Sequence, residues 1–254
     1  MSAPAAPAEQ SPLQAVNGFL HRITVPEYHD LLTIGVLREG EPVELLDGYM
    51  IHKWDVVSAA PPSLASISGF RRLTVADYHK MIAAGLLRDG EPVELLEGYL
   101  VRKMSHNTPH GIAVQKLTKR LVRVAPPGWE PRCQLPITLP TSEPEPDGLL
   151  ARGDESTFAT HHPFPAEIGL VVEVSDTSLG FDRGEKGRIY ARAAIPVYWI
   201  VNVAERQVEV YSNPDVAADP PRYRDRTDYR PGDQLPITLD GATAATIAVA
   251  DLLP

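Results

Sequence analysis

Residues 168–190, IGLVVEVSDTSLGFDRGEKGRIY, join a predicted strand to a predicted helix. Ile168–Val174 is short, apolar and rich in β-branched residues, which is typical of a buried strand. Asp182–Ala194 has the pattern of a helix despite its two glycines. Glu173 interrupts the apolar run, and a carboxylate buried there is costly to leave without a partner. The stretch therefore predicts a buried strand whose carboxylate binds a cation or takes part in catalysis.

Two more charged residues near this stretch suggest the role of that carboxylate. Asp147 follows Pro146 at the mouth of another predicted strand, and Lys186 lies one helical turn after Asp182. A second carboxylate near Glu173 raises the cost by repulsion unless a cation lies between the two. Hard oxygen ligands favour Mg²⁺ or Mn²⁺, which can polarise a phosphodiester and activate a bound water. A nearby ammonium can orient that water and neutralise developing charge. The trio predicts a divalent-metal site that cuts phosphodiester bonds.

The remaining elements predict a mixed α/β (α+β) fold with a central sheet. A helix is predicted over His110–Val124, with Thr108 as its N-cap and Pro109 as its first residue. Further strands are predicted at Cys133–Leu139, Asp147–Ala151, Val197–Val203 and Gln207–Tyr211. The last two are expected to form a hairpin.

An internal repeat precedes this region. Arg22–Lys53 is RITVPEYHDLLTIGVLREGEPVELLDGYMIHK and Arg72–Lys103 is RLTVADYHKMIAAGLLRDGEPVELLEGYLVRK. The offset is 50 residues without a gap, and 18 of 32 positions are identical, which indicates duplication. Two copies are fewer than the roughly three that a solenoid needs.

Each repeat predicts a helix followed by a hairpin. A threonine with an acidic residue three positions later opens the helix, a glycine ends it, and an acidic-Gly dipeptide separates two apolar runs. These positions are Thr24, Glu27, Gly35 and Asp47-Gly48 in the first repeat, and Thr74, Asp77, Gly85 and Glu97-Gly98 in the second.

Composition limits the class of protein. The chain of 254 residues has 43% hydrophobic residues, enough for a sizeable core, and a single cysteine, Cys133, so no disulfide can form within it. Without a signal-like start or a long apolar run, we expect a cytoplasmic protein without a membrane segment. The net charge of -9 argues against nucleic-acid binding on its own, yet residues 71–123 hold ten Lys and Arg against five Asp and Glu.

Taken in order, these motifs resemble the Uma-two family of restriction-endonuclease-like proteins, within the PD-(D/E)xK nuclease superfamily. The resemblance covers about residues 71–211. The matching segments are the hairpin Val93–Val101 with Glu94, His110 at a helix start, Pro146-Asp147, Leu170–Ser175 with Glu173, Asp182 to Lys186 followed by Tyr190, and Val197–Val201. In this branch Ser175 holds the place of the usual lysine, and the resemblance implies that Lys186 replaces it.

The resemblance implies a restriction-endonuclease-like fold and a Mg²⁺- or Mn²⁺-dependent endonuclease that acts on DNA, plausibly as a homodimer. Asp147 and Glu173 would bind the metal, Lys186 would assist catalysis and Glu94 would complete the site. His110 and Asp182 would support it. The expected organisation is a flexible N-terminus (1–21), the first copy (22–53), a linker (54–70) and a nuclease domain (71–254). Three departures are Ser175-Asp176, where Ser-Pro is common, Ala194-Ile195-Pro196 before the final strand, where a Gly is common, and the extra N-terminal copy.

Several alternatives stay open at this stage. Lys186 could be a solvated helix lysine, and Glu94 could equally be a structural residue paired with an arginine. The helix face formed by Lys116, Lys119, Arg120 and Arg123 could contact phosphates or simply face solvent.

The function has alternatives as well. The chain could be a catalytically inactive nuclease-fold domain that binds nucleic acid or a protein, or an interaction protein that uses the duplicated hairpins. The first copy could lack a separate activity, or it could cover a DNA cleft or a partner's edge.

Overall fold

The computed structural model divides the chain into two compact units, Met1–Lys103 and Met104–Pro254. The structure describes residues 19–53, 64, 68–88, 90–103 and 107–254, so most of the expected flexible N-terminus and linker lies outside the described residues. Within those ranges, no helix combines the length and apolar character that crossing a membrane requires. The expected nuclease domain over 71–254 stays a prediction.

In the first unit, each repeat forms a helix and an antiparallel hairpin. The first repeat has α1 at Val25–Thr33, β1 at Val43–Leu46 and β2 at Tyr49–His52; the second has α2 at Val75–Ala83, β3 at Val93–Leu96 and β4 at Tyr99–Arg102. In both helices the N-cap threonine and the acidic residue three positions later exchange hydrogen bonds. These bonds satisfy backbone donors that the first helical turn leaves without partners.

The hairpin turns explain the acidic-Gly dipeptides. Asp47 and Gly48 have φ of 50° and 85°, and Glu97 and Gly98 have φ of 50° and 84°. Two successive positive φ angles are the signature of the turn whose twist matches paired strands. A Cβ at Gly98 would lie 2.9 Å from the Leu73 carbonyl oxygen, so only glycine fits there.

One hydrophobic core serves both repeats. Its buried members are Ile23, Leu31, Val36, Leu37, Val43, Met50, Leu73, Tyr78, Met81, Leu87, Val93, Leu95 and Leu100. The apolar residues of both repeats are therefore buried against each other in a single core.

The second unit is built on a six-stranded sheet. Its elements are α3 (Thr108–Val124), β5 (Trp129–Arg132), β6 (Gly148–Arg152), β7 (Ile168–Ser175), α4 (Leu179–Phe181), a π-helical turn (Asp182–Lys186), α5 (Gly187–Arg192), β8 (Val197–Asn202), β9 (Gln207–Asp215), β10 (Arg222–Tyr229), β11 (Gln234–Leu239) and β12 (Ala242–Ala248). Short 3₁₀ turns lie at Thr157–Ala159, Pro165–Glu167 and Val249–Asp251.

The strand order in the sheet is β10-β9-β8-β7-β6-β5. Neighbours are antiparallel except β7 and β8, which are parallel. Parallel strands need a crossover connection, and here residues 179–192 supply it as a helical segment. A mixed central sheet with helices confirms the predicted α+β class.

The two faces of β7 have different surroundings. Leu170, Val172 and Val174 belong to the main core, together with residues of α3 and of the hairpin β11-β12. Side chains alternate along a strand, so Glu173 lies on the other face. That face is covered by the crossover segment, whose Tyr190 contacts Glu173.

Three details differ from the sequence-based expectations. The predicted strand Cys133–Leu139 is wrong: the strand is Trp129–Arg132. Beyond it, Gln134 has φ 50° and the chain follows residues 142–146 through isolated hydrogen bonds, because Pro136, Pro144 and Pro146 lack the donors that a continuous ladder needs. The N-cap of α3 is Asn107 instead of Thr108, because the Asn107 side chain accepts the hydrogen bond from His110 N. The helix predicted over Asp182–Ala194 begins at Leu179, contains a π turn and ends at Arg192.

Candidate active site

Strand register brings Asp147 and Glu173 together. Gly148 of β6 pairs with Val172 of β7, and Asp147 and Glu173 are the next residues along each strand. Directly opposed antiparallel residues have Cβ atoms roughly 4.5–5.5 Å apart on one face. Asp147 Oδ2 also accepts a hydrogen bond of 2.8 Å from Val174 N, which ties this aspartate to β7. Both side chains are buried, at 6% exposure each.

The crossover segment adds two groups to the same carboxylate. Lys186 Nζ lies 3.4 Å from Glu173 Oε1, and the Tyr190 hydroxyl donates to that oxygen at 2.6 Å. Lys186 is only 5% exposed, so it is not the solvated helix lysine of the alternative interpretation. It lies at the end of a π-helical turn, a rare local geometry that is frequent at functional sites.

Asp182 is a third buried carboxylate in this neighbourhood. Its side chain accepts a hydrogen bond from the Ser178 hydroxyl, and its carbonyl oxygen accepts one of 3.1 Å from the Tyr198 hydroxyl. Burial raises the pKa of Asp182 to about 6, against the opposing effects of the Ser178 hydrogen bond and the Lys186 charge. Asp182 therefore interacts electrostatically with Lys186, and its supporting role stays a prediction.

His110 contacts the site from the first turn of α3. Its Nε2 lies 3.3 Å from Asp147 Oδ2, with both side chains largely buried. Burial lowers the pKa of His110, but the hydrogen bond to Asp147 and the nearby charges of Asp147, Asp182 and Asp176 outweigh it, so the net pKa is raised. A protonated His110 would offset part of the negative charge on Asp147.

Negative charge dominates the site. Burial, together with the charges of Asp147 and Asp182, raises the pKa of Glu173 to about 8, although Lys186 and the Tyr190 hydrogen bond act in the opposite direction. Among the described residues, no three His, Cys, Asp or Glu side chains are grouped so that they could hold a metal ion. Asp147 and Glu173 are the two carboxylates that could hold one with the help of water or substrate oxygens.

The structure places Glu94 in the first unit. It lies on β3 and is 5% exposed. Its contribution to the site formed by Asp147 and Glu173 stays a prediction.

The basic face of α3 divides into two pairs. Lys116 Nζ donates a hydrogen bond to the carbonyl oxygen of Leu253, and Arg120 lies 3.1 Å from Asp251, so both bind the C-terminal segment. Lys119 and Arg123 are exposed. The second pair is the more exposed and is therefore the better placed to contact a phosphate backbone.

Sequence reasoning missed an ion pair that holds the π turn in place. Arg183 donates two hydrogen bonds to Glu209 of β9, at 2.9 and 2.5 Å, and Glu209 is fully buried. Although burial opposes it, donors from Arg183, Asn202 and Tyr211 lower the pKa of Glu209 to about 2. A glutamate between two valines of a strand was the available signal, and it resembles the signal that marked Glu173.

Comparisons with known proteins identify the family of the chain. Residues 75–249 match the model of a family described as "Uma2: Putative restriction endonuclease". The chain belongs to the Uma2 family. The matched region includes Asp147, Glu173, Lys186 and most of the second repeat, but not the first repeat. No curated protein matches the chain.

A solved structure shows the same fold as this Uma2 chain. It is the crystal structure of a protein from Anabaena variabilis described as a "putative nuclease belonging to DUF820". The two share 16% identity with a TM-score of 0.52, and the match covers 71% of this chain and 97% of the other. The family and the fold together support a nuclease.

Proposed function

We propose that the protein is a divalent-metal-dependent endonuclease that hydrolyses phosphodiester bonds in DNA. The observation that carries the proposal is the convergence on Glu173: Asp147 is beside it in register, and Lys186 and Tyr190 contact its Oε1. A nucleic-acid substrate is what a nuclease family supports. DNA and Mg²⁺ are the finer parts of the proposal.

A hard divalent cation suits this donor set. The pKa of about 8 for Glu173 reflects burial and negative charge that the protein's own cations do not fully offset. Mg²⁺ is commonly held by one or two carboxylates plus waters and substrate phosphates, which agrees with two available protein carboxylates. When bound by Asp147 and Glu173, Mg²⁺ or Mn²⁺ would supply Lewis-acid polarisation and a more acidic water.

The side chains around these ligands have separate tasks. Val174 N and His110 orient Asp147, and Tyr190 orients Glu173. The Lys186 ammonium can hydrogen-bond the attacking water and neutralise charge that develops on the phosphate. Because Lys186 is buried and its Nζ lies 3.4 Å from Glu173 Oε1, its amine is held in place before substrate arrives.

A cleavage assay tests the proposal. Purified wild type is incubated with supercoiled plasmid and with single-stranded DNA, in Mg²⁺, in Mn²⁺ and in EDTA. We expect metal-dependent cutting by wild type, and a loss of at least about 100-fold in Asp147→Asn, Glu173→Gln and Lys186→Met, the scale on which charged catalytic groups act.

Asp154→Asn is the matched control, because Asp154 is an exposed carboxylate in a turn of the same unit. It should cut like wild type. Equal cutting by all five proteins would indicate a contaminating nuclease and refute the site. DNA binding without any cutting by folded wild type would favour the inactive nuclease-fold module.

A further inference from the structure

The two repeats of the first unit pair with each other reciprocally. The segment in front of the first repeat lies along β4 of the second. Arg102 N donates to the Phe19 carbonyl at 3.0 Å, and His21 N donates to the Leu100 carbonyl at 2.8 Å. Leu20 thereby faces Val101 as an antiparallel bridge.

In the same way, the segment in front of the second repeat lies along β2 of the first repeat. His52 N donates to the Gly69 carbonyl at 2.8 Å, and Arg71 N donates to the Met50 carbonyl at 2.9 Å. Phe70 faces Ile51. Every residue in this set is the counterpart, 50 positions away, of one in the other set, so the exchange has internal two-fold symmetry.

Side chains follow the same symmetry. Arg71, which precedes the second repeat, binds Glu41 of the first at 2.7 Å. The counterpart of this pair is His21 with Glu91, at 4.0 Å. The shared hydrophobic core of the unit also takes residues from both repeats, including Leu31 of α1 and its counterpart Met81 of α2.

We propose that the first repeat covers a surface of the second repeat to which a second copy of this chain would otherwise bind. A hairpin of two four-residue strands is marginal alone, and an open strand edge invites pairing with another chain. For each hairpin, the third strand and about half of the core come from the other repeat and the segment in front of it, and the two repeats are identical at 18 of 32 positions. Such a surface is self-complementary, which is the property of an isologous dimer interface. In this chain the interface is satisfied within one molecule and is closed to other chains.

This proposal is independent of the nuclease function, and disulfide trapping in the full-length chain tests it. All variants carry Cys133→Ser. The bridge Leu20–Val101 is flanked by hydrogen bonds of its neighbours, the arrangement in which Cα atoms lie about 4.5 Å apart, within the range of a disulfide. Leu20→Cys/Val101→Cys should therefore form a disulfide within one chain. Failure to form it, or a disulfide between chains, would overturn the proposal.

A second variant detects pairing between chains. Phe70→Cys/Val101→Cys should stay reduced, because Phe70 faces Ile51 and Val101 faces Leu20 in the internal pair. If the second repeats of two chains paired, Phe70 of one would take the place of Leu20 and face Val101 of the other. A disulfide-linked dimer of this variant on a non-reducing gel would therefore contradict the proposal that the first repeat closes this interface to other chains.

Weakening the first repeat should open the interface. Leu31 is fully buried, and Leu31→Ala creates a cavity in the first repeat. Added to Phe70→Cys/Val101→Cys, it should produce the interchain disulfide and a dimer in sedimentation that grows with concentration. The counterpart Met81→Ala weakens the second repeat instead and should give at least about fivefold less of this dimer.

Far-UV circular dichroism establishes that each variant is folded, and Leu31→Val replaces Leu31→Ala if the latter is not. A folded Leu31 variant that stays monomeric and reduced at high concentration would refute the self-complementary surface. Equal dimer from the Leu31 and Met81 variants would refute the specific role of the first repeat.

Discussion

At the scale of single residues, Glu173 is the group in which burial and nearby negative charge most strongly oppose ionisation. Its strand buries it and its register puts Asp147 beside it. Among the described residues, Lys186 and Tyr190 bring a positive group and a hydrogen-bond donor to its Oε1. The resulting pKa of about 8 means that the carboxyl group holds a proton near neutral pH unless a cation replaces that proton. An ionised Glu173 without a bound cation therefore lowers the stability of the folded chain.

The pH dependence of stability follows from this shift. The pKa of Glu173 is about 8 in the folded chain and near 4.5 when unfolded, so the folded state binds the extra proton between these values. Stability contributed by this group should therefore be highest below about pH 4.5 and fall as the pH rises towards 8. We expect the Tm in EDTA to fall over pH 6–8.5, and Mg²⁺ to raise the Tm more at pH 8 than at pH 6.

Glu173→Gln is the matched variant for that measurement, because it has nearly the same shape and no titrating proton. Its Tm should depend less on pH over the same range, and Mg²⁺ should shift its Tm less. A Mg²⁺ effect as large as in wild type would show that the ion binds elsewhere.

At the scale of elements, the crossover segment is positioned by contacts on both of its sides. Tyr190 and Lys186 bind β7 through Glu173, and Arg183 binds β9 through Glu209. The π turn between them carries both Arg183 and Lys186, so one ion pair with the sheet sets where the lysine amine lies. Geometry at the site thus depends on a residue outside it.

Replacement of Arg183 should show this dependence. Arg183→Met leaves Glu209 buried without its strongest partner, and such a loss destabilises proteins by about 3 kcal/mol. We expect a lower urea midpoint with an unchanged m-value, together with reduced cleavage at temperatures where the variant is folded. Arg230→Met, at an exposed arginine next to β10, is the control and should change neither. Full cleavage by folded Arg183→Met would show that the position of the Lys186 amine does not depend on this ion pair.

At the scale of the whole molecule, a chain of net charge -9 must approach a polyanion through a local basic surface. On α3, Lys116 and Arg120 bind the C-terminal segment, and Lys119 and Arg123 are exposed. If DNA binds this face, the exposed pair makes the phosphate contacts.

Salt dependence measures these contacts. In the Glu173→Gln background, Lys119→Gln/Arg123→Gln should weaken DNA binding and reduce the slope of log affinity against log salt by roughly two, at about 0.9 per phosphate contact. Arg222→Gln/Arg230→Gln removes the same charge from exposed positions on and next to β10, and it should leave the slope nearly unchanged. Equal slopes for the two double variants would exclude α3 as the phosphate-binding face.

The amino-acid sequence was sufficient for features that depend on neighbours along the chain. Capping threonines, acidic-Gly turns, the buried strand around Glu173 and the α+β class all follow from local patterns, because caps, turns and alternation act over a few residues. Local pattern failed at Cys133–Leu139, where Gln134 takes a positive φ and prolines in both paired segments remove donors that a strand ladder needs.

Only the tertiary structure decided which groups meet. The contact of Lys186 with Glu173, the hold of Glu209 on Arg183 and the exchange of segments between the two repeats each join residues far apart in the chain. Such contacts depend on strand register and on the direction of each side chain, and a sequence pattern specifies neither across a crossover or a repeat. The buried strand and the helical segment of residues 168–190 could be predicted from the residues themselves, whereas the contacts between their side chains required the fold.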